Sequence, residues 1–183
     1  MDDGSHRLQR DDEALATFFG QSSFASHAVV SARNAVKVDP EVELALLGPL
    51  GCGIQTGAGT VLNRLKPEFG SSIVVYGCGA VGLSAVMAAK IIGCQRIIAV
   101  DINDDRLALA RELGATHTVN GKQEETVDRV HEITGGGSEY AVETTGAPPC
   151  GTSIAAGVTP PGCLGNCRCY PGGHAGCAPR LDG

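Results

Sequence analysis

The segment Ser72-Ile-Val-Val-Tyr76-Gly77-Cys-Gly79-Ala-Val-Gly82 decides the fold of this chain. A short apolar, β-branched run, typical of a buried strand, leads directly into a Gly-x-Gly-x-x-Gly pattern, and a helical pattern follows. In such a turn Gly77 allows the tight bend, Gly79 lets the backbone approach a pyrophosphate, and Gly82 lets the helix pack closely on the sheet. The strand, glycines and helix together predict a dinucleotide-binding turn.

The same strand and helix pattern continues along the chain to about residue 145. Predicted strands cover residues 72–76, 96–100, 116–119 and 140–143, and predicted helices cover about 80–92, 104–113 and 124–133. The strands are nearly all apolar, as expected when helices cover both faces of a parallel sheet. We therefore predict an α/β fold: a partial Rossmann fold, with a doubly wound parallel sheet of about four strands.

A carboxylate in this pattern indicates which dinucleotide is bound. Asp101 follows the second predicted strand, where a carboxylate can accept hydrogen bonds from both hydroxyls of an adenosine ribose. A carboxylate against a 2′-phosphate would place like charges in contact, so Asp101 favours NAD over NADP. Arg106, on the next helix, could add a bond to the ribose, although an exposed surface role is at least as common for such a residue.

The start of the first helix completes the expected cofactor site. Ala80 and Val81 stand between Gly79 and Gly82, in the first helical turn. Unpaired N–H groups and the positive end of the helix dipole would face the pyrophosphate at this point.

Composition excludes several classes of function. Only 14 Lys+Arg stand against 20 Asp+Glu, with a net charge of −6 and no basic run, which argues against nucleic-acid binding. No apolar stretch approaches the ~20 residues of a membrane helix, so no membrane partner is expected. The polar, acidic start lacks the features of a secretory signal, which predicts a cytoplasmic protein with reduced thiols.

The segments outside the sheet have different characters. Asp39-Pro40 predicts a helix start, and linking helices are expected over residues 38–71. From residue 147 to 183 the chain is rich in Gly, Pro and Cys and shows no period, so we predict an irregular tail. Its cysteines lack the paired spacing of common zinc sites, and unpaired thiols in an irregular tail are the interpretation favoured over a metal site.

The motifs then become specific to a family. Gly51-Cys52-Gly53-Ile-Gln-Thr56-Gly57-Ala-Gly59, followed by the glycine turn and Asp101, resembles zinc-dependent medium-chain alcohol dehydrogenases. The stretch from Phe18 to Phe24 and the stretch from Gly48 to Thr56 most resemble the NAD-dependent aryl-alcohol (benzyl-alcohol) branch. The resemblance covers about residues 4–146.

The resemblance implies roles for individual residues. Cys52 matches the third ligand of the catalytic zinc, and Thr56 with Val81 matches the pair that packs against the nicotinamide ring. Phe18 and Phe19 match positions lining the alcohol pocket. By this resemblance the cofactors are NAD and zinc, the zinc polarises the oxygen of an alcohol while hydride moves to NAD, and the substrate is a small alcohol or aldehyde.

The resemblance also implies that this chain is an incomplete dehydrogenase. Residues 1–37 match a remnant of the GroES-like catalytic domain, residues 72–146 match the front half of the NAD-binding domain, and the other zinc ligands belong to the part of the family's catalytic domain that lies further upstream. A reading-frame shift near residue 147 is a hypothesis that accounts for the tail, since GC-rich DNA read out of frame encodes Ala, Gly, Pro, Arg and Cys. The family forms homo-oligomers, and its usual dimer edge would then be missing.

Other functions remain open alongside the dehydrogenase. A non-catalytic remnant could bind NAD, or its adenosine half, through the glycine turn and Asp101 alone. A methyltransferase shares the first turn, but the third glycine and the segment from Cys52 to Thr56 weigh against it. A short-chain reductase is disfavoured because no Tyr has a Lys four residues on.

We expect that the purified chain will not oxidise alcohols at a zinc-dependent rate, because catalytic zinc needs about three protein ligands and the resemblance supplies Cys52 alone. The test assays benzyl alcohol and simple primary alcohols with NAD, with and without zinc, beside a longer protein that restores the upstream domain and the continuing frame. Chelator-sensitive NADH production by this chain, lost in Cys52→Ser, would contradict the expectation.

Overall fold

Two compact units make up the chain, Met1–Glu43 and Leu44–Gly183, in a computed structural model that describes residues 8–15, 26–27, 30–146 and 158–166. In the first unit β1 (Leu8–Arg10) and β2 (Glu13–Leu15) form an antiparallel pair. A single turn of 3-10 helix follows at Ala32–Asn34. From Arg10 onward, none of the side chains whose burial is described in this unit is buried.

Helical turns precede the sheet. Asp39 begins a turn, because its carbonyl accepts from Val42 N–H at 3.1 Å and its carboxylate from Glu41 N–H at 2.9 Å. The expected helix start at Asp39-Pro40 is therefore corrected to a turn, which Asp at the first position and Pro at the second also favour. The helices themselves are α1 (Leu44–Leu47), a π-helical turn (Leu50–Ile54), α2 (Gln55–Gly59) and a second π-helical segment (Thr60–Leu65).

The second unit is built on a parallel sheet in the order β5-β4-β3-β6-β7. The strands are β3 (Ser72–Tyr76), β4 (Arg96–Asp101), β5 (His117–Asn120), β6 (Ser138–Glu143) and β7 (Val158–Asn166). The helices are α3 (Ala80–Ile92), α4 (Asp104–Leu113) and α5 (Thr126–Thr134). The predicted α/β fold is confirmed, with small shifts at the ends of elements.

A fifth strand lies within the segment where the sequence indicated no regular structure. The backbone of β7 pairs with β6 from Ser138↔Val158 to Glu143↔Asn166, with a register shift between Ser138 and Tyr140. Proline is tolerated on an edge strand or in a bulge, where its missing N–H leaves no ladder bond unmade. An edge position with an irregular register explains why Pro160 and Pro161 did not prevent the strand.

Apolar side chains cover both faces of the sheet. On one face Ile73 and Val75 of β3 pack with helix residues such as Ala85, and on the other Val74 packs with Val130 of α5. Alternate residues of a strand point to opposite faces, so both faces are buried. Within the described ranges no helix is long and apolar enough to cross a membrane.

The contact between β3 and α3 depends on two glycines. Gly77 has φ +90°, a backbone conformation that glycine adopts readily, and its carbonyl oxygen faces Gly82. A Cβ on Gly82 would lie 1.7 Å from that oxygen, whereas a Cβ on Gly79 would meet no atom of the described residues within 4 Å. Gly82 is therefore required by packing, and Gly79 is not.

Gly82→Ala should destabilise the full chain by about 2–3 kcal/mol or more, because the added methyl must push the glycine turn away from α3. Gly79→Ala is the matched control and should cost about 1 kcal/mol or less, the usual difference between Gly and Ala at a helix N-cap. Urea unfolding followed by circular dichroism measures both. Equal losses in the two variants would contradict the packing argument.

Candidate functional site

A cavity of about 570 Å³ opens in the second unit, where β3 and β4 end and α4 and α5 begin. Ligands of open α/β sheets bind outside the carboxyl ends of the strands, where the strand order reverses. Here the order reverses at β3, because β4 and β5 follow on one side of it and β6 and β7 on the other. The lining residues are Tyr76, Gly77, Gly79, Val100, Asp101, Ile102, Arg106, Gly121, Glu124, Glu125, Thr126, Val127, Thr144 and Thr145.

Asp101 is the best-fixed polar group of this cavity. Its side chain is 5% exposed. One carboxylate oxygen, Oδ2, accepts from Cys78 N–H at 2.7 Å, and Oδ1 accepts from Ile102 N–H at 2.7 Å and Asn103 N–H at 3.0 Å. A carboxylate has about four acceptor positions, so capacity remains for a ligand hydroxyl. The structure thus fixes the Asp101 carboxylate at the edge of the cavity. Its position at the end of the second strand of the parallel sheet is the one expected from the sequence.

Arg106 lies beside this carboxylate without a close hydrogen bond. Its guanidinium Nη1 is 3.9 Å from Asp101 Oδ2, and the side chain is 57% exposed. The start of α4 is fixed by Asn103, whose Oδ1 accepts from Asp105 N–H at 2.9 Å and Arg106 N–H at 3.3 Å. A long ion pair whose arginine is mostly exposed contributes little stability, so the Arg106 side chain can turn toward a bound ligand at small cost.

The glycine turn leaves open space where a diphosphate would lie. Gly77 N–H donates to Val100 O at 2.7 Å, which ties the turn to β4. Gly79 is exposed at the N-cap of α3, Ala80 is exposed and Val81 is half-buried. The open space at Gly79, beside the first N–H groups of α3, fits a dinucleotide pyrophosphate.

Polar residues at the end of β6 and just after it lie at or beside the cavity, although no sequence motif singled them out. Thr144 Oγ1 donates to Tyr76 O at 2.8 Å and lies 3.1 Å from Gly77 O. The buried Glu143 accepts from Thr145 N–H at 2.6 Å and Gly146 N–H at 3.1 Å. Their position after a buried parallel strand was the available signal, because the carboxyl ends of such strands meet at one edge.

The helical segment that carries Cys52 and Thr56 packs along the start of α3. A Cβ on Gly57 would lie 1.9 Å from Val81 O, and a Cβ on Gly53 would lie 3.4 Å from the Ala80 side chain. The Ser84 hydroxyl donates to Val81 O at 2.8 Å and to Gly53 O at 3.3 Å. The structure therefore brings the segment of Cys52 and Thr56, both exposed, against the helix that carries Val81.

Comparisons with known proteins agree with this geometry. The family model described as zinc-binding dehydrogenase matches residues 80–170. A geraniol dehydrogenase of Castellaniella defragrans is 44% identical over 166 residues, which are 90% of this chain and 43% of that protein.

Solved structures give the same result. An alcohol dehydrogenase zinc-binding domain protein from Burkholderia ambifaria is 56% identical with a TM-score of 0.77, over 81% of this chain and 40% of that one. The benzyl alcohol dehydrogenase of Acinetobacter calcoaceticus is 46% identical with a TM-score of 0.78, over 91% of this chain and 43% of that one.

The chain belongs to the zinc-dependent medium-chain alcohol dehydrogenase family. The resemblance to this family found in the sequence is confirmed. The chain spans between 40 and 43% of the length of these three relatives.

Cys52 is the zinc ligand that the family resemblance implies for this chain. Among the described residues no group of three or more His, Cys, Asp or Glu side chains could hold a metal ion. Cys52 as a zinc ligand therefore stays a prediction from the family. Phe18 and Phe19, expected at the alcohol pocket, and the side chains of the late cysteines lie outside the described residues.

The second residue of the dehydrogenase glycine turn, Cys78, is a buried thiol. Its pKa is raised from 9.0 to about 12, mainly by burial and also by the nearby Asp101 carboxylate, while Arg106 acts in the opposite direction. Burial likewise raises the pKa of the Cys94 thiol, against a hydrogen bond from Ser71 that lowers it. Both thiols are therefore neutral at physiological pH and act as small apolar groups rather than nucleophiles.

Stability should fall more steeply above pH 9 in the native chain than in Cys78→Ala. Below pH 9 the thiol is protonated in both the folded and the unfolded state; between 9 and 12 only the unfolded state loses the proton, which favours unfolding. We expect an additional loss of about 1 kcal/mol at pH 10. Urea titrations from pH 8 to 10.5 measure it, and parallel pH curves for the two proteins would refute it.

Proposed function

We propose that this chain supplies the NAD-binding part of an oxidoreductase of the zinc-containing alcohol dehydrogenase family, which transfers hydride between an alcohol and NAD. The observation that supports this most strongly is the buried Asp101 carboxylate, fixed by three backbone N–H groups at the edge of the cavity. Open space at Gly79 and the start of α3 lies beside it.

Each part of the dinucleotide has a counterpart in this arrangement. The adenosine ribose would bond to Asp101, with Arg106 close enough to join it, and the diphosphate would lie over Gly77 and Gly79. NAD, when bound, supplies the acceptor for the hydride. By family, Thr56 and Val81 would contact the nicotinamide, and the packing of Gly57 on Val81 supports that assignment.

The charge around the cavity favours NAD over NADP. Asp101, Glu124 and Glu125 contribute carboxylates to its wall, against the guanidinium of Arg106. Arg129 pairs with Glu124 at 3.3 Å, but Asp101 is buried in the wall itself. A 2′-phosphate placed there would meet like charge in a poorly solvated site, where repulsion is strong.

We further propose an aryl alcohol or its aldehyde as the substrate. The supporting observations are the sequence from Phe18 to Phe24 and the 46% identity to a protein named benzyl alcohol dehydrogenase. In the family, zinc polarises the alcohol oxygen, and Cys52 is the matching ligand in this chain. Phe18 and Phe19 are the proposed contacts to the aryl ring.

A second candidate is a non-catalytic protein that binds NAD or its adenosine half. The cavity borders Asp101, Arg106 and the start of α5, and the glycine turn with Asp101 would suffice to bind adenosine. Zinc content of the longer protein that restores the upstream domain separates the two candidates: about one zinc per chain with turnover supports the enzyme, and nucleotide binding without zinc supports the second.

The chain should bind NAD at least about tenfold more tightly than NADP, or about 1.4 kcal/mol, and Asp101→Asn should reduce that ratio to below about threefold. The Asn keeps a side-chain acceptor for Ile102 and Asn103 but removes the charge. Glu112→Gln, the same chemical change at an exposed site near the end of α4, is the control and should leave the ratio unchanged.

Isothermal titration of the three proteins with both dinucleotides measures these ratios. Equal affinities of the native chain for NAD and NADP would contradict the role of Asp101. An unchanged ratio in Asp101→Asn would place the discrimination elsewhere in the cavity.

A further inference from the structure

The peptide that joins Gly77 to Cys78 is held at both of its polar ends. Its N–H, on Cys78, donates to Asp101 Oδ2 at 2.7 Å. Its carbonyl, on Gly77, lies 3.1 Å from the Thr144 hydroxyl, which donates toward it. The two side chains come from the ends of different strands, β4 and β6, on either side of β3. This peptide is thus fixed from both sides of the glycine turn.

Thr144 packs closely against the peptide that joins Gly77 to Cys78. A Cβ on Gly77 would lie 2.6 Å from Thr144 Oγ1, and a Cβ on Gly82 would lie 1.7 Å from Gly77 O. The Gly77 carbonyl is therefore enclosed between α3 and the threonine hydroxyl. Rotation of the peptide would break the bond to Thr144 and turn the Cys78 N–H away from Asp101.

Thr144 is itself held in place by hydrogen bonds to the end of β3. Its backbone N–H donates to Tyr76 O at 2.9 Å, and its hydroxyl also lies 2.8 Å from the same oxygen. The Thr144 hydroxyl proton is shared between the Tyr76 and Gly77 carbonyls. One side chain therefore links the end of β3 to the glycine turn. The residue is half-buried, which limits competition from water.

We propose that Thr144 is a positioning residue for diphosphate binding in this dehydrogenase family member. Its hydroxyl fixes the Gly77–Cys78 peptide and so sets the direction of the backbone that follows, at Gly79 and the first turn of α3. Preorganised N–H groups bind an anion more tightly because no reordering accompanies binding. This inference rests on the proposed NAD site and adds a residue to it.

Two ligands separate positioning of the phosphate-binding backbone from general stability. Adenosine reaches the Asp101 end of the cavity and carries no phosphate, whereas ADP adds the diphosphate that would lie over the glycine turn. A residue that acts on the turn alone changes the ratio of the two affinities. A residue that merely stabilises the fold changes both affinities together or neither.

The experiment compares the full chain with Thr144→Val, which keeps the shape and removes the hydroxyl, and with Thr144→Ser, which keeps the hydroxyl. Adenosine, ADP and NAD are titrated by calorimetry or NMR. We expect Thr144→Val to bind ADP and NAD about tenfold more weakly. Thr144→Ser should stay within about threefold of the native chain, and adenosine affinity should be equal in all three proteins.

A second measurement needs no ligand. Native-state amide exchange at Cys78 should be about tenfold faster in Thr144→Val than in Thr144→Ser, since the peptide loses one of its two anchors. An unchanged ADP affinity, an equal loss of adenosine affinity, or equal exchange rates would overturn the proposal. A native chain that binds adenosine and not ADP would also overturn it, whereas a native chain that binds neither refutes the NAD-binding function on which it rests.

Discussion

The contact between the Gly77 carbonyl and Gly82 is the constraint on which the rest of this structure depends. A side chain at residue 82 has no room, since its Cβ would lie 1.7 Å from Gly77 O. This contact sets the distance between β3 and α3, and with it the position of the open backbone at Gly79. The hydrogen bonds of Asp101 and Thr144 to the neighbouring peptide then hold the turn in place. A ligand would meet a surface that is already formed.

The nucleotide half of the site could be predicted from sequence because its signals are local. The run from Ser72 to Gly82 contains the strand, the turn and the helix start, and Asp101 is the last residue of the next strand. Thr144 could not be assigned a role in this way, because it bonds to residues 67 and 68 positions earlier in the chain. That contact forms only when β6 lies beside β3, and no short sequence motif specifies the order of the strands.

Two other features show where local rules mislead. Asp39-Pro40 carries a helix-start signal, but the same residue types favour a turn, and the backbone forms the turn. Pro160 and Pro161 argue against a strand, yet an edge strand with a shifted register accommodates them. The proposed roles of Cys52, Phe18 and Phe19 come from the family resemblance and not from contacts in the structure.

Amide hydrogen exchange of the full chain, with and without saturating NAD, tests most directly the claim that the glycine turn and Asp101 form a dinucleotide site. The account predicts protection on NAD binding in the peptides that cover Gly77–Gly82 and Asp101–Arg106, with little change around β1 and β2. Unchanged exchange at the glycine turn in the presence of NAD, or protection confined to another part of the chain, would contradict it.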